Sequence, residues 1–193
     1  MAGWGTGACD LDNDGRKDLF AANSHVSENA EAYMHYRYRQ ANAVFQAGAD
    51  GRFRDVTAQA GPAMRRARAH RGCAFGDFDD DGRVDVVVSA IGEPPAVLYN
   101  VTEGGHWIAL RLKGTKSNRD GIGATVTLTG ESGRVQHNHV TTAVGYSSSS
   151  DTRVHFGLGA DRSAREIEIR WPSGTTQILR DVAADQLLEV KEP

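Results

Sequence analysis

A short acidic motif occurs twice in this chain, and it constrains the fold more than any other feature. Residues 10–20 read DLDNDGRKDLF and residues 77–88 read DFDDDGRVDVVV, so the two copies lie 67 positions apart. Four aspartates, a glycine and an arginine stand at the same places in both copies. A repeat of this length is typical of architectures built from recurring structural units, such as the blades of a propeller.

Each copy of the motif is followed by a short apolar run, LFAAN in one and VVVSAI in the other. Neither run has a helical period, and both have the length of a buried strand. Between the copies, short runs on either side of Asp50 and Gly51 predict a tight hairpin. Residues 28–40 are the one segment of this half that favours either a helix or a long excursion.

The sequence changes character from His106 onward, where seven short alternating segments are separated by turns rich in Gly, Ser and Asn. Turns at such intervals are typical of a sandwich or a barrel. We therefore predict an all-β chain with a boundary near residues 103–105, which gives one domain over 1–104 and a second over 105–193.

The acidic motifs have the spacing of a loop that surrounds a hard cation. Side-chain oxygens stand at positions 1, 3, 5 and 9, and a glycine at position 6 permits a sharp turn, which suits the six to eight oxygen ligands of Ca²⁺. Without a cation, the carboxylates of one loop would repel each other, so we prefer two Ca²⁺ sites to two solvated acidic turns. The predicted ligands of the first site are Asp10, Asp12, Asp14, the carbonyl of Arg16, and Asp18. Those of the second are Asp77, Asp79, Asp81, the carbonyl of Arg83, and Asp85.

Two other metal loops are disfavoured. An EF-hand requires a bidentate glutamate at position 12 and helices on both sides, whereas this position is Ala21 in one copy and Val88 in the other, and strands are expected to follow. Mg²⁺ is disfavoured because a cage of many protein oxygens suits the larger ion, whose geometry is less strict.

Runs of sequence in both halves of the chain resemble two known families. GACDLDNDGRKDLFAANSH and RGCAFGDFDDDGRVDVVVSAIG are similar to FG-GAP (VCBS) repeats, and SNRDGIGA, HFGLG and WPSG are similar to the ASPIC/UnbV domain. The resemblance implies a partial β-propeller of about two FG-GAP blades with Ca²⁺ loops, followed by a β-sandwich-like C-terminal domain. It also implies an extracellular, periplasmic or cell-surface protein that binds or scaffolds, without established catalytic residues.

The number of repeats sets an expectation about the length of the protein. A propeller needs about four to eight blades to close, and this sequence supplies about two. Its first residues also lack the basic and apolar regions of a signal peptide. We therefore expect a C-terminal fragment of a longer propeller protein, whose open strand edges promote self-association.

Composition limits the functions to consider. The net charge of -3, from 22 basic and 25 acidic residues, gives no reason to expect a nucleic-acid partner. No segment approaches the roughly 20 apolar residues that membrane insertion requires. We predict a non-catalytic Ca²⁺-binding module for adhesion or ligand binding, with a protein or glycan ligand. The alternative is an enzyme or enzyme accessory that acts on a polysaccharide or natural product, although no carboxylate pair of the glycosidase type stands out.

Several smaller features have two interpretations each. His137 and His139 lie on one face of an expected strand. They are either an exposed pair of histidines or part of a zinc site. GYSSSSD at 145–151 favours a hydrogen-bonding turn over a nucleophile, because it lacks the glycine pattern of a nucleophile elbow. Cys9 and Cys73 have no metal or redox spacing, which leaves either a disulfide or two free thiols.

Two loops are candidate ligand surfaces. MRRARAHR at 64–71 has no interleaved aromatic residue, so a solvated loop that offsets the aspartates is the first interpretation, and an acidic polysaccharide site is the second. SNRDGIGATV at 117–126 is first a structural turn and second a ligand loop. If a sugar binds there, an exposed indole of Trp107 or Trp171 would stack on it.

Overall fold

The computed structural model describes residues 2–193, which form fourteen strands in four sheets. The all-β prediction is confirmed. The helices of these residues are two 3₁₀ segments, Ala30–Ala32 and Pro62–Arg65. None of the helices described has the length and apolar character needed to cross a membrane.

Seven strands make up the first half, in two antiparallel sheets with the orders β1-β2-β3-β4 and β5-β6-β7. They are β1 (Gly3–Cys9), β2 (Asp18–Asn23), β3 (Ala43–Ala47), β4 (Phe53–Asp55), β5 (His70–Gly76), β6 (Asp85–Ala90) and β7 (Glu93–Leu98). Each acidic motif is the connection between the first two strands of its sheet, so the repeat in sequence is a repeat in structure. As expected, a strand follows each motif.

The tight turn inside each motif explains why glycine recurs there. Gly15 and Gly82 have φ angles of 85° and 84°, in the left-handed region that residues with a Cβ rarely adopt. Asn13 and Asp80 stand two residues earlier, with φ angles of 56° and 58°. Asn and Asp tolerate this region better than other side chains, so both copies use the same backbone path.

The connections of the first half follow the predictions in part. Asp50 and Gly51 lie in the turn of the β3–β4 hairpin, where Gly51 donates to the carbonyl of Gly48 at 3.0 Å. Residues 28–40 form a long excursion that contains the 3₁₀ segment at 30–32 and no regular α-helix. Its end is tied to the segment just before β5 by an isolated antiparallel bridge between Gln40 and Arg68.

Seven further strands form the second half, one for each of the seven alternating segments. They are β8 (His106–Lys113), β9 (Thr125–Gly130), β10 (Val135–His139), β11 (Val154–Gly159), β12 (Ser163–Arg170), β13 (Thr176–Ala183) and β14 (Gln186–Lys191). The sheets have the orders β10-β9-β12-β13 and β11-β8-β14. Strand β14 pairs with β8 in parallel, whereas the other pairs are antiparallel.

Each half has its own hydrophobic cluster. In the first, the rings of Phe20 and Phe75 meet edge to face at 6.0 Å, beside the buried thiol of Cys73. In the second, side chains such as Ile108 and Ile167 are fully buried between the two sheets, which contributes about 1.5–3 kcal/mol for each such side chain. The clusters fall on either side of the predicted boundary at 104/105, which itself stays a prediction.

The two cysteines are free thiols in this structure. Burial raises the pKa of Cys73 to about 12, and burial followed by the charge of Asp18 raises the pKa of Cys9. Both thiols are therefore protonated at neutral pH and pack as small apolar groups.

Candidate metal centres

Three carboxylates converge in each acidic loop. Oxygens of Asp10, Asp12 and Asp18 lie within 4.8 Å of one another, and the equivalent oxygens of the second copy do the same. The second set is Asp77, Asp79 and Asp85. The first and last aspartates of each set are buried. The structure thus brings together six of the eight aspartates predicted as ligands.

Backbone amides hold the carboxylates of the first loop in place. Asp10 accepts a hydrogen bond from the N–H of Gly15 at 2.8 Å. Asp18 accepts one from the N–H of Leu11 at 3.0 Å and another from Ala47 at 2.8 Å. These bonds fix the direction of the carboxylates and leave their remaining lone pairs for a cation.

The second loop repeats this network. Asp77 accepts from the N–H of Gly82 at 2.9 Å. Asp85 accepts from Phe78 at 2.9 Å and from Asn100 at 2.7 Å. The donors within the motif stand at the same positions in both copies, so the similarity extends from the sequence to individual hydrogen bonds.

The third aspartate of each loop is placed differently. The carboxylate of Asp14 forms an ion pair with the side chain of Arg16, and Asp81 does the same with Arg83. Neither aspartate is in the converging sets. Their role as ligands, and that of the carbonyls of Arg16 and Arg83, stays a prediction.

The electrostatics of the first loop fit a cation. Burial, opposed by the hydrogen bond from Gly15 and reinforced by the charges of Asp14 and Asp12, raises the pKa of Asp10 to about 7. Burial is also the largest cause of the raised pKa of Asp18. A divalent ion would reverse this penalty, and a set of carboxylate oxygens is the donor set that Ca²⁺ prefers. The residues present therefore fit such an ion.

Strand β11, which carries the HFGLG motif, packs against both acidic loops. The N–H of Gly159 donates to the carbonyl of Asn13 at 2.7 Å. Nε2 of His155 lies 3.0 Å from the carbonyl oxygen of Gly82. A Cβ at Gly157 would come within 2.5 Å of the Asn13 backbone. Gly157 is therefore required by close contact with the first loop, whereas Gly159 is favoured by its φ angle of 62°.

The protonation of His155 agrees with this contact. Burial, as the largest cause, lowers its pKa to about 4, so the imidazole is neutral at pH 7. With the proton on Nε2, the ring donates to the carbonyl of Gly82. The indole of Trp107 stacks on this imidazole with 6.1 Å between ring centroids, and it also covers Gly82, where a Cβ would overlap the indole.

Further groups, all but Asn100 from the second half, hold the backbone of the loops. Arg153 pairs with Asp80 at 2.9 Å and also donates to the carbonyl of Asp77. The carbonyls of the first loop receive three more donors. These are the N–H of Gly105 to Asp12 at 3.0 Å, the side-chain amide of Asn100 to Leu11 at 2.7 Å, and the guanidinium of Arg134 to Asp14. Both candidate centres thus lie where the two halves meet.

Comparison with known families agrees with this division of the chain. The family described as FG-GAP-like repeat matches residues 10–88, and the family described as ASPIC and UnbV matches residues 114–193. The chain carries FG-GAP-like repeats followed by an ASPIC/UnbV region. The arrangement indicated by the motifs is confirmed.

The curated relatives share modest identity over almost all of the chain. Cartilage acidic protein 1 of Xenopus tropicalis is 27% identical over 197 residues, and the match covers 96% of this chain and 28% of that protein. The Mus musculus protein of the same name is 27% identical over 194 residues, with coverages of 96% and 28%. The Homo sapiens protein is 27% identical, with coverages of 95% and 27%. The chain thus spans about 28% of the length of these relatives.

Among solved structures, the backbone protein of the group B streptococcus pilus 2b aligns over 97% of this chain and 96% of its own. The identity is 8% and the TM-score is 0.26, which is too low to indicate a shared fold.

The serine turn of the ASPIC/UnbV region docks on the FG-GAP-like half. The Ser150 hydroxyl accepts from the N–H of Phe75 at 2.9 Å, and the N–H of Asp151 donates to the Phe75 carbonyl at 3.0 Å. Tyr146 meets Trp4 edge to face at 5.0 Å. These contacts support the interpretation of residues 145–151 as a hydrogen-bonding turn, and they provide hydrogen-bond partners for Phe75 of β5.

Two candidate ligand features of the ASPIC/UnbV region differ from expectation. Trp171 is only 3% exposed and its Nε1 donates to Gln177, so the expectation of an exposed indole there is wrong. Trp107 is half-buried against Gly82. His137 and His139 are exposed, and within residues 2–193 no third metal-binding side chain converges on them, which removes support for a zinc site.

One structural anchor was missed from the sequence. Glu192 is 2% exposed and accepts from the N–H groups of Thr115, Lys116 and Ser117 at 2.8 Å each. Ser173 of the WPSG motif adds a hydroxyl donor at 2.5 Å. Burial alone would raise the pKa of this carboxyl, but these donors outweigh it and hold the pKa below its usual range. No local pattern marks a glutamate near the end of the sequence as an anchor.

Proposed function

We propose that this chain is a non-catalytic Ca²⁺-binding module that acts outside the cytoplasm in adhesion or ligand binding. The observation that carries the proposal is the pair of carboxylate triplets, each largely buried and each oriented by the same backbone hydrogen bonds. Asp10, Asp12 and Asp18 would hold one ion, and Asp77, Asp79 and Asp85 the other. When bound, the ions supply positive charge to buried carboxylates that otherwise repel one another.

We also propose a specific architecture. The sheets β1-β2-β3-β4 and β5-β6-β7 each begin with the unit of strand, acidic loop and strand, which supports two FG-GAP blades of a partial propeller. The two sheets of the second half enclose one apolar cluster, which supports a β-sandwich-like ASPIC/UnbV domain.

In this arrangement the ions stabilise the scaffold and the junction between its halves. Strand β11 and the side chain of Arg153 contact loop carbonyls whose positions depend on the carboxylates beside them. Sites of extracellular modules commonly bind Ca²⁺ with dissociation constants of about 10⁻⁴–10⁻³ M. The name of the relatives, which refers to cartilage, supports a location where Ca²⁺ reaches that range.

Thermal melting with Ca²⁺, Mg²⁺ or a chelator tests the proposal. Ca²⁺ should raise the melting temperature well above the value in chelator, and Mg²⁺ should do so much less.

Asp79→Asn is the sharpest variant, because within residues 2–193 the Asp79 carboxylate makes no hydrogen bond or ion pair that the change would break. It should reduce the Ca²⁺ effect, whereas Asp120→Asn, an exposed control with the same charge change, should not. Equal melting in all three solutions would refute the Ca²⁺ proposal, and turnover of a polysaccharide would refute its non-catalytic part.

A further inference from the structure

Two arginine-rich segments that are distant in sequence form one surface. Residues 35–40 and 56–71 contain six arginines and no acidic residue, in a chain whose net charge is -3. Gln40 and Arg68 join the segments through reciprocal backbone hydrogen bonds of 3.1 and 3.2 Å. We call this surface the basic groove. Arg37 and Arg39 line the groove itself, and Arg65, Arg66, Arg68 and Arg71 belong to the adjoining segment, which contributes Ala67 to the groove wall.

The structure adds to the 64–71 loop the aromatic residues that its sequence lacks. Tyr36, which is 54% exposed, lines a groove of about 450 Å³ together with Arg37, Arg39 and Ala67. This volume is within the range of ligand-binding clefts, roughly 300–1,000 Å³. The absence of aromatic residues, the sequence argument against a ligand here, therefore does not hold in the folded chain.

Three of the six guanidinium groups are available to an external anion. Arg39 and Arg68 both pair with Glu93, at 2.9 and 3.2 Å. Arg71 lies over the ring of Trp4 at 4.6 Å. By contrast, Arg37, Arg65 and Arg66 are exposed and form no ion pair among the described residues. The two arginines paired with Glu93 are held in place, and Arg37 in the groove, with Arg65 and Arg66 on the adjoining loop, carries positive charge that no ion pair among the described residues neutralises.

We infer that the basic groove binds an anionic glycan, a sugar chain that carries sulfate or carboxylate groups. A guanidinium presents two parallel N–H donors that match both groups. The exposed face of Tyr36 offers an apolar surface on which a sugar ring packs. The inference rests on the proposed function as a ligand-binding module and specifies its ligand class.

The surroundings of the groove favour a short anionic segment over a nucleic acid. Asp55 lies in the groove wall, and Glu31 lies beside the tyrosines, where it accepts from the N–H of Tyr38 at 3.3 Å. Nucleic-acid binding relies on a long track of positive charge along the phosphate backbone. Acidic residues at the margins interrupt such a track, whereas a glycan with spaced charges avoids them.

Calorimetry with a heparin-derived hexasaccharide tests the inference. The wild-type chain should bind it, with an affinity that falls as salt is raised, and should not bind a hexasaccharide that has been desulfated, N-acetylated and carboxyl-reduced and so carries no charge. Arg37→Ala/Arg65→Ala/Arg66→Ala should weaken binding by at least ~10-fold, since three charge-assisted contacts are lost. The control Lys116→Ala/Arg165→Ala/Lys191→Ala removes the same charge from exposed side chains of the other half and should change binding less than about twofold. Tyr36→Ala should weaken binding without a change in charge.

Several outcomes would overturn the inference. These are no binding of the hexasaccharide, equal weakening by the two triple variants, or equally tight binding of a single-stranded DNA of the same charge. Melting curves verify that each variant is folded. Repeating the titration in millimolar Ca²⁺ and in chelator separates the two proposals. A Ca²⁺-dependent melting temperature without glycan binding refutes the groove alone, and glycan binding without any Ca²⁺ effect refutes the calcium proposal alone.

Discussion

The side-chain amide of Asn13 donates a hydrogen bond to the carbonyl oxygen of Gly82 at 3.1 Å, across 69 positions of sequence. This contact joins the two acidic loops directly. The same carbonyl oxygen lies 3.0 Å from Nε2 of His155 on strand β11. Both loops and the ASPIC/UnbV region therefore meet at one backbone oxygen, and a change in one of the three elements affects the others.

Replacement of Asn13 measures the strength of this junction. Asn13→Ala removes a buried hydrogen bond worth about 1 kcal/mol. It also places alanine, which adopts the left-handed region less readily than asparagine, at a φ of 56°. The left-handed backbone adds a further ~1 kcal/mol. We expect a loss of about 2 kcal/mol in the free energy of unfolding by urea. Asn13→Gly, which tolerates this φ, should lose only about half as much. Equal losses in both variants would contradict the backbone part of the explanation.

Gly157→Ala tests the close approach of strand β11 to the first loop. The added Cβ would come within 2.5 Å of the Asn13 backbone, so the strand has to move. Overpacking of this kind costs about 1–3 kcal/mol. Gly3→Ala is the matched control, because its Cβ would meet no atom closer than 3.6 Å. If both variants unfold at the same urea concentration, the contact is not a determinant of stability.

The pH dependence of stability should depend on Glu192. Its pKa in the folded chain is lower than the usual 4.5, so the folded chain binds fewer protons than the unfolded chain as the pH falls. The stabilisation is therefore fully present above pH 4.5 and decreases as the pH falls below that value. Urea unfolding of wild type and Glu192→Gln should show the largest difference at neutral pH and a smaller one in acid. A difference that does not change with pH would mean that the charge of Glu192 is irrelevant.

Hydrogen exchange should reveal the coupling between the acidic loops and the second half. The amides of Gly105 and Gly159 donate to carbonyls of the first loop, at 3.0 and 2.7 Å. Ca²⁺ that orders this loop should slow exchange at both amides. The amide of Gly174 donates to the carbonyl of Trp171 in the WPSG turn, which in the described part of the chain makes no hydrogen bond with the acidic loops. This amide should exchange at an unchanged rate. Uniform slowing at all three sites would indicate global stabilisation instead of a local effect at the junction.

Local patterns were sufficient to predict much of the fold. The strands after the acidic loops and the seven strands of the second half follow from short apolar or alternating runs, which are properties of neighbouring residues. The convergence of Asp10, Asp12 and Asp18 also follows from spacing, because one tight loop brings these positions together. Such features depend on contacts over fewer than ten residues.

The contacts that were missed join residues far apart in sequence. His155 and Gly82 are 73 positions apart, and Glu192 and Ser117 are 75 apart. No local pattern encodes the partner of such a residue. The burial of Trp171 was missed for the same reason, because the side chains of its hydrophobic cluster, such as Leu112 and Val190, are far apart in sequence. Long-range packing, and not secondary structure, is what the sequence alone left undetermined.

The number of Ca²⁺ ions bound per chain tests the central claim most directly. Equilibrium dialysis with metal analysis should find two ions on the wild-type chain, because two equivalent carboxylate triplets are present. Asp79→Asn should retain only the ion of the first loop, and Asp120→Asn should retain both. A wild-type chain that binds no Ca²⁺, or an Asp79→Asn chain that still binds two ions as tightly as wild type, would contradict the account.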